Sequence, residues 1–285
     1  VTVFRWHVVS AVFRRNVASY FSGVLGYLFI VAFVMAGGIL AFQEQFFTNN
    51  IASLDQLTAY FPMLLLFLVP AITMGIWADE RKLGTDELLF TLPASDMEIL
   101  LGKYFSVLAV YSIALGFSLT YLMVLRSIGH PDWGVAFTTY FGYWLAGAAL
   151  LSAGMLGSVL TNNTTVAFVM GVLLCAMLVL PRAVGIIVAS LFRTLFRFMG
   201  AFLTNDLLRE TNDLLRELSV GERLHDFQLG IIPLGGVLYF VSFTVLMLYL
   251  NLVEIRRRHW STGQKTSMGM QYLARAICLA LILIS

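Results

Sequence analysis

Apolar and polar positions in this chain fall into long blocks, not into the short alternations of a soluble fold. Six blocks, at residues 24–42, 60–77, 104–125, 135–160, 162–180 and 230–253, are apolar for about the 20 residues a helix needs to cross hydrocarbon. They predict an all-α, polytopic membrane protein whose residues 24–255 form a domain of six transmembrane helices. Ahead of them, residues 1–23 interleave Phe4, Trp6, Phe13, Tyr20 and Phe21 with Arg5, His7, Arg14 and Arg15. That pattern suits an amphipathic helix lying in the headgroup layer, and equally a basic flank that orients the first span. Pro70, inside the second span, predicts a kink. Residues 181–229 read differently. The apolar run 183–192 is too short to cross and predicts an interfacial or re-entrant helix. Thr-Asn-Asp-Leu-Leu-Arg-Glu then occurs twice in tandem, at 204–210 and 211–217. Leu207, Leu208, Leu214, Leu215 and Leu218 make one apolar stripe, expected to lie over the outer mouth as a plain amphipathic helix or as a cap that guides substrate. Two heptads are too few to specify a coiled coil. Residues 256–285 form a basic linker and the start of a seventh span near 272. A first residue other than Met and a span cut short at Ser285 suggest a fragment.

Composition agrees with the blocks. The chain is 59% hydrophobic and 12% charged, against roughly 25% charged residues in soluble domains, and its mean hydropathy is +0.86. The net charge of +2 says less than its distribution. An N-terminus in the cytoplasm puts Arg5, Arg14, Arg15, Arg81, Lys82, Lys103, Arg256, Arg257, Arg258 and Lys265 inside. The short outer loop 43–59 then has no Lys or Arg, and most outer arginines fall in the long segment 181–229, where the positive-inside rule counts least. No cleavable signal peptide is evident, since Arg5, Arg14 and Arg15 precede a full-length span. Cys175 and Cys278 sit in apolar helices and form neither a metal-ligand spacing nor a disulfide framework.

Small residues recur on one face of the fourth span: Gly142, Ala146, Ala149, Ala153 and Gly157, at spacings of four, three, four and four. They predict a close helix-packing seam, favoured within the subunit over a contact with a second copy. Chemical motifs are lacking. The sequence has no H-x-x-x-H pair, no G-x-S-x-G elbow and no G-x-x-x-x-G-K-[ST] phosphate loop, so it is not expected to be an enzyme by itself, to use a catalytic residue or to hold a metal. Nothing points to nucleic acid. The cores of the six spans lack Asp, Glu, Lys and Arg, which argues against an ion-coupled carrier, and no filter-like loop suggests a channel. Any energy source is external.

One segment departs from this apolar background. Residues 78–103 carry nine charges: Asp79, Glu80, Arg81, Lys82, Asp86, Glu87, Asp96, Glu98 and Lys103. Placing them mid-membrane would cost more than about 20 kcal/mol, so the segment belongs in water or at the interface. Gly84 permits a sharp turn. Thr85 is a candidate N-cap, with Asp86 and Glu87 complementing the helix dipole. The helix that follows presents Leu88, Leu89 and Leu92 and stops at Pro93. Ser95 and Glu98 have the spacing of a capping box that starts the next helix. A short helix pinned between two spans suits a soluble partner; a solvated loop with ordinary caps would show the same local signals.

Read in order, Glu80-Arg81-Lys82-x-Gly84-Thr85-x-Glu87-Leu88-Leu89-x-Thr91-Leu92-Pro93-x-Ser95, then Glu98-Ile99-x-x-Gly102-Lys103, resembles the cytoplasmic coupling segment of type-2 ABC transporter permeases. Within that family the gliding-motility-type branch is nearest, and the permease of nitrous-oxide-reductase maturation is a more distant relative. Gly129-x-Pro131-Asp132-Trp133-Gly134, Ser158-x-Leu160-Thr161-x-Asn163, Phe227-x-x-Gly230 and Tyr239-Phe240-x-Ser242 are similar to the same branch. The resemblance covers most of residues 20–260 and departs at the duplicated heptad and the tail. It implies a homodimeric or pseudo-dimeric permease of the bacterial cytoplasmic (inner) membrane, bound to two cytoplasmic ABC ATPase subunits. ATP and Mg would sit on those subunits, with no cofactor on this chain. Residues 85–92 would be the coupling helix, with Glu80, Arg81 and Glu87 as its charged contacts. An extracytoplasmic auxiliary domain, fused after residue 261 or associated, is a further implied partner beside the membrane lipids. The implied function is ATP-powered export or extraction. The few polar side chains in the spans (Thr73, Ser112, Ser118, Thr120, Thr138, Thr139, Ser152) suit an apolar or lipid-linked substrate. The alternative is a non-transporting anchor that passes ATPase motion to an extracytoplasmic domain.

Overall fold

The computed structural model describes residues 4–49, 54–85, 94–181 and 219–257. The regular elements among them are all helices: α1 (Trp6–Ser22), α2 (Leu25–Ala41), α3 (Glu44–Asn49), α4 (Asp55–Thr73), α5 (Gly75–Lys82), α6 (Asp96–Ser118), α7 (Thr120–Ile128), α8 (Trp133–Val159), α9 (Thr164–Val179), α10 (Val220–Gln228) and α11 (Leu234–Arg257).

The bundle is organised around α8. This helix is apolar on every side and buried along nearly all its length, as expected of a helix without a polar face. It packs directly against α4, α5, α6, α9, α10 and α11. Small residues make that possible by letting neighbours come close. At Gly147 an added Cβ would lie 2.2 Å from the Tyr111 ring, and at Gly154 it would lie 2.5 Å from the Thr73 hydroxyl. Tyrosines fasten the layers. Tyr111 donates to the carbonyl of Tyr143 at 2.7 Å and Tyr104 to that of Ala148 at 3.1 Å. The Tyr143 ring stacks on Phe61 at 3.8 Å, and its hydroxyl pairs with Thr58. Outside this layer, α2 packs on α4 and α6, and α1 lies against α6.

Helices occupy all six positions where the apolar blocks predict spans, but only four have full spanning length: Asp55–Lys82, Asp96–Ile128, Trp133–Val159 and Leu234–Arg257. The first block corresponds to α2, the 17-residue half of a pair that bends by 73° between α1 and α2. The fifth is α9, with 16 residues. At 1.5 Å per residue these reach about 26 and 24 Å, short of the roughly 30 Å hydrocarbon core. The bend also explains the mixed character of residues 1–23: α1 leaves the direction of the span it precedes.

The interruption expected at Pro70 falls one turn later. The amide of Met74 still donates to the Pro70 carbonyl at 2.9 Å, and Met74 keeps helical dihedrals (φ −55, ψ −37). The backbone thus continues as one helix while its hydrogen-bond ladder opens at Met74. Residues 220–228, at the end of the segment 181–229, pack into the bundle. There α10 buries Val220, Leu224 and Phe227 against α8 and α4. The run 183–192, the duplicated heptad and the tail from 258 lie outside the described residues.

Candidate functional site

Charged side chains from four elements, α1, α5, α6 and α11, meet at one end of the bundle, where α5 leaves α4. The sequence of α5, Gly-Ile-Trp-Ala-Asp-Glu-Arg-Lys, passes from apolar to charged within two turns, so Trp77 and Ala78 are buried while Asp79 and Lys82 are exposed. Facing it, Lys103 of α6 is wholly buried. Its ammonium donates to the Ile76 carbonyl at 2.7 Å and to the Glu80 carboxylate, and it lies 4.0 Å from the centre of the Trp77 ring. The other Glu80 oxygen accepts from Arg15 of α1 at 2.6 Å. Glu80 is therefore the anion that holds two cations from two other helices.

The start of α6 is built the same way. Ser95 caps the helix by accepting from the Glu98 amide at 3.3 Å, and Glu98 reaches back to accept from the Ser95 amide at 2.9 Å. This closes the capping box that the spacing predicts. The second Glu98 oxygen accepts from the amide of Arg5 at 2.7 Å, the N-cap residue of α1, so one buried carboxylate caps α6 and holds the beginning of α1. Arg256 of α11 reaches Asp96 at 3.6 Å. Replacing Ser95 by alanine removes one of these bonds and is expected to lower stability by about 1 kcal/mol, read as a lower thermal midpoint of the purified protein. An unchanged midpoint would show that the cap contributes nothing.

On the far side, the turn between α8 and α9 grips α5. Ser158, wholly buried, accepts from the amides of Trp77 and Ala78, each at 3.1 Å, and donates to the Met74 carbonyl at 2.7 Å. Arg81 donates to the Thr161 carbonyl at 3.3 Å, and Thr164 donates to Asp79 at 2.6 Å. Gly84 closes α5 in the left-handed region (φ 68), where lack of a Cβ is the advantage. Thr85 turns its hydroxyl back to the Glu80 carbonyl at 3.2 Å, satisfying one of the carbonyls left over at the helix end. Asp86, Glu87, Leu88, Leu89, Leu92 and Pro93 lie outside the described residues. Of the residues expected to meet a partner, Glu80 and Arg81 are thus engaged within the chain, while Gly84 and Thr85 are exposed.

The seam of small residues is occupied from within the chain. An added Cβ at Gly142 would lie 2.9 Å from the Phe227 side chain of α10, and one at Gly157 would lie 2.6 Å from the Gly171 backbone of α9. Ala146, Ala149 and Ala153 are buried. Three residues that carry much of the charged end, Lys103, Glu98 and Ser158, were not singled out as site residues by the sequence. A lone lysine near the start of an apolar stretch was the available signal. At the opposite end of α4 and α8, a cavity of about 400 Å³ is lined by Asp55, His130, Asp132 and Gln228 among others. No group of three or more His, Cys, Asp or Glu suited to a metal occurs among the described residues. The charged end is equipped to hold a protruding segment in a fixed pose.

Residues 43–250 match the family model described as ABC-2 family transporter protein. No curated protein sequence gives a significant match. The family match takes in α3 to α10 whole, with the central helix and the α5 and α6 part of the charged end, and covers well over half the chain. With four full-length apolar helices and the bent pair beside them, the chain belongs to the ABC-2 family of transporter proteins and is a multi-pass membrane permease of the ABC-transporter kind.

Proposed function

We propose that this chain is the transmembrane subunit of a homodimeric exporter or extractor driven by two separate cytoplasmic ATPase subunits, which hold ATP and Mg. The observation that carries the reading is the charged end. It clamps both chain ends that flank residues 86–93, through α5 on one side and the α6 capping box on the other. A segment held at both ends can deliver a push without dissipating it in loop motion. The N-terminus and this end face the cytoplasm of a bacterial inner-membrane protein, and the gliding-motility-type permeases are the nearest branch.

The test is association. With Leu88 and Leu89 both changed to glutamate, the permease should still purify as a folded protein but no longer retain the ATPase subunits encoded with it. Full retention would remove residues 85–92 from the coupling role.

A second reading, an anchor that passes ATPase motion to an extracytoplasmic domain, is favoured by one observation. The hydroxyls of Thr73, Ser112, Ser118, Thr120, Thr138, Thr139 and Ser152 all donate to carbonyls three or four residues back. Polar groups satisfied inside their own helices do not line a path for a polar cargo. An apolar or lipid-linked substrate moving along the outer faces of the helices would need no such path, which keeps the export reading ahead.

A further inference from the structure

The motif Ser158-x-Leu160-Thr161-x-Asn163 has no role in the coupling segment itself, yet Ser158, Thr161, Asn163 and the neighbouring Thr164 are all hydrogen-bonded. Asn163 caps α9 by accepting from the Thr165 amide at 2.9 Å, and its own amide donates to the Thr161 hydroxyl at 3.2 Å. The remaining groups point across to α5. Ser158 bonds three backbone groups of residues 74–78, the Thr161 carbonyl takes Arg81, and the Thr164 hydroxyl takes Asp79. The turn between α8 and α9 therefore holds α5 from its root to its last turn.

The position of Ser158 within that grip is informative. A side chain inserted into a helical ladder is a recognised cause of local opening. Here the ladder opens one turn after Pro70, at Met74, whose carbonyl takes the Ser158 proton. Trp77 and Ala78 are buried, and a buried amide without a partner is costly. By accepting from both, Ser158 lets the ladder stay open without leaving orphan amides. Its own proton goes to the Met74 carbonyl, so the hydroxyl is anchored from both sides.

We propose that Ser158 is a positioning residue for energy coupling: it latches an open helical ladder at Met74, fixes the angle at which α5 leaves α4, and makes α5 move as one body with the α8–α9 turn. Force entering at residues 84–95 would then pass through α5 directly into α8, the helix on which the bundle is organised, as well as through the second and third spans. This rests on the coupling reading above.

The experiment places nitroxide labels at Phe67 on α4 and Leu83 at the end of α5, both exposed, in the full chain freed of its native cysteines and reconstituted in lipid nanodiscs. Pulsed EPR reads the distance between them. The unmutated protein should give one narrow distribution. Ser158→Ala should broaden or shift it, because α5 loses its fixed point. Thr164→Val should do the same to a smaller degree, and Thr164→Ser, which keeps the hydroxyl, should restore the narrow distribution. The threonine pair decides the matter if Ser158→Ala does not fold. Distributions that superimpose across all variants would overturn the latch. Repeating the measurement with the ATPase subunits bound, with and without ATP and Mg, separates the two claims. A nucleotide-driven shift seen in the unmutated protein should be lost in Ser158→Ala, and its persistence would overturn the positioning role. If nucleotide moves nothing in the unmutated protein, the coupling reading fails, while the latch stands or falls on the permease alone.

Discussion

Glu80→Ala is expected to be among the most destabilising substitutions in the chain, costing about 3 kcal/mol or more, whereas Lys103→Met should cost far less. The asymmetry follows from burial. Lys103 is wholly enclosed and Glu80 keeps some contact with solvent. Truncating Glu80 strands an ammonium whose remaining partners are one carbonyl and the face of Trp77. Neither supplies a full opposite charge, and an unpaired buried charge is what makes such mutations severe. Truncating Lys103 instead leaves Glu80 with Arg15 at 2.6 Å, in a site where water can help. Methionine also keeps most of the stem that packs against Trp77. The double variant Glu80→Gln with Lys103→Met should recover much of the loss, as replacement of whole buried pairs often does. Thermal unfolding of the purified protein provides the readout, repeated at high salt, to which an enclosed pair should respond weakly. Equal losses for the two single variants would show that the pair is not buried in the sense argued.

The pair also marks where reading the sequence reached its limit. Block length and charge density place the spans and the charged segment, because both are local properties. Counting the nine charges of residues 78–103 as one solvated group treats Lys103 and Glu98 like Lys82, which is exposed. Their burial depends on partners 23 and 93 residues away, Glu80 and the amide of Arg5, and no local pattern encodes that. Ser158 escaped for the same reason: one hydroxyl at the end of an apolar run gains its meaning from the open ladder of another helix. In α8, the small-residue spacing marks the face of Gly142 and Gly157, while Gly147 and Gly154 meet Tyr111 and Thr73 on other faces. A helix surrounded by six neighbours needs small residues on several faces. The capping box at Ser95 and Glu98 was legible because both partners sit in the same turn.

These limits bear on the two functional readings. A permease and an anchor share the whole of the charged end, since each must take a push from outside the membrane. They differ in what α8 does with it. The Tyr111–Tyr143 and Tyr104–Ala148 bonds tie α6 to α8 along the middle of the bundle. On either reading, a displacement of α5 would reach α8 together with α6. Exterior faces such as Tyr27, Leu28, Val31 and Met35 of α2, all exposed, are where an apolar cargo or a second subunit would register that displacement.

The seam contact beside Ser158, at the α5 end, leads to the second large effect. Gly157→Ala is expected to cost about 3 kcal/mol, the upper part of the range for overpacking, and Gly157→Val to prevent assembly of α9 against α8. The added Cβ would meet the Gly171 amide nitrogen at 2.6 Å, its Cα at 2.8 Å and the Met170 carbonyl carbon at 3.1 Å. All three are backbone atoms, so no rotamer change relieves the clash and the helices themselves must part. Nor can α9 simply retreat. On its other side Gly171 abuts Pro70 of α4, where an added Cβ would already be 3.1 Å from the ring, so the backbone of α9 is held between two helices. With 16 residues, α9 is also too short to be fixed by bilayer matching alone and depends on this contact for its depth. Gly142→Ala serves as the comparison. Its nearest neighbours are Cγ and Cβ of the buried Phe227 at 2.9 and 3.0 Å, so relief needs only a small shift of the nine-residue α10, not the parting of a helix held between two others, and the loss should be nearer about 1 kcal/mol. Thermal midpoints of the two variants in the same detergent give the order. If Gly142→Ala proved as harmful as Gly157→Ala, backbone contact would not be what sets the cost along this seam.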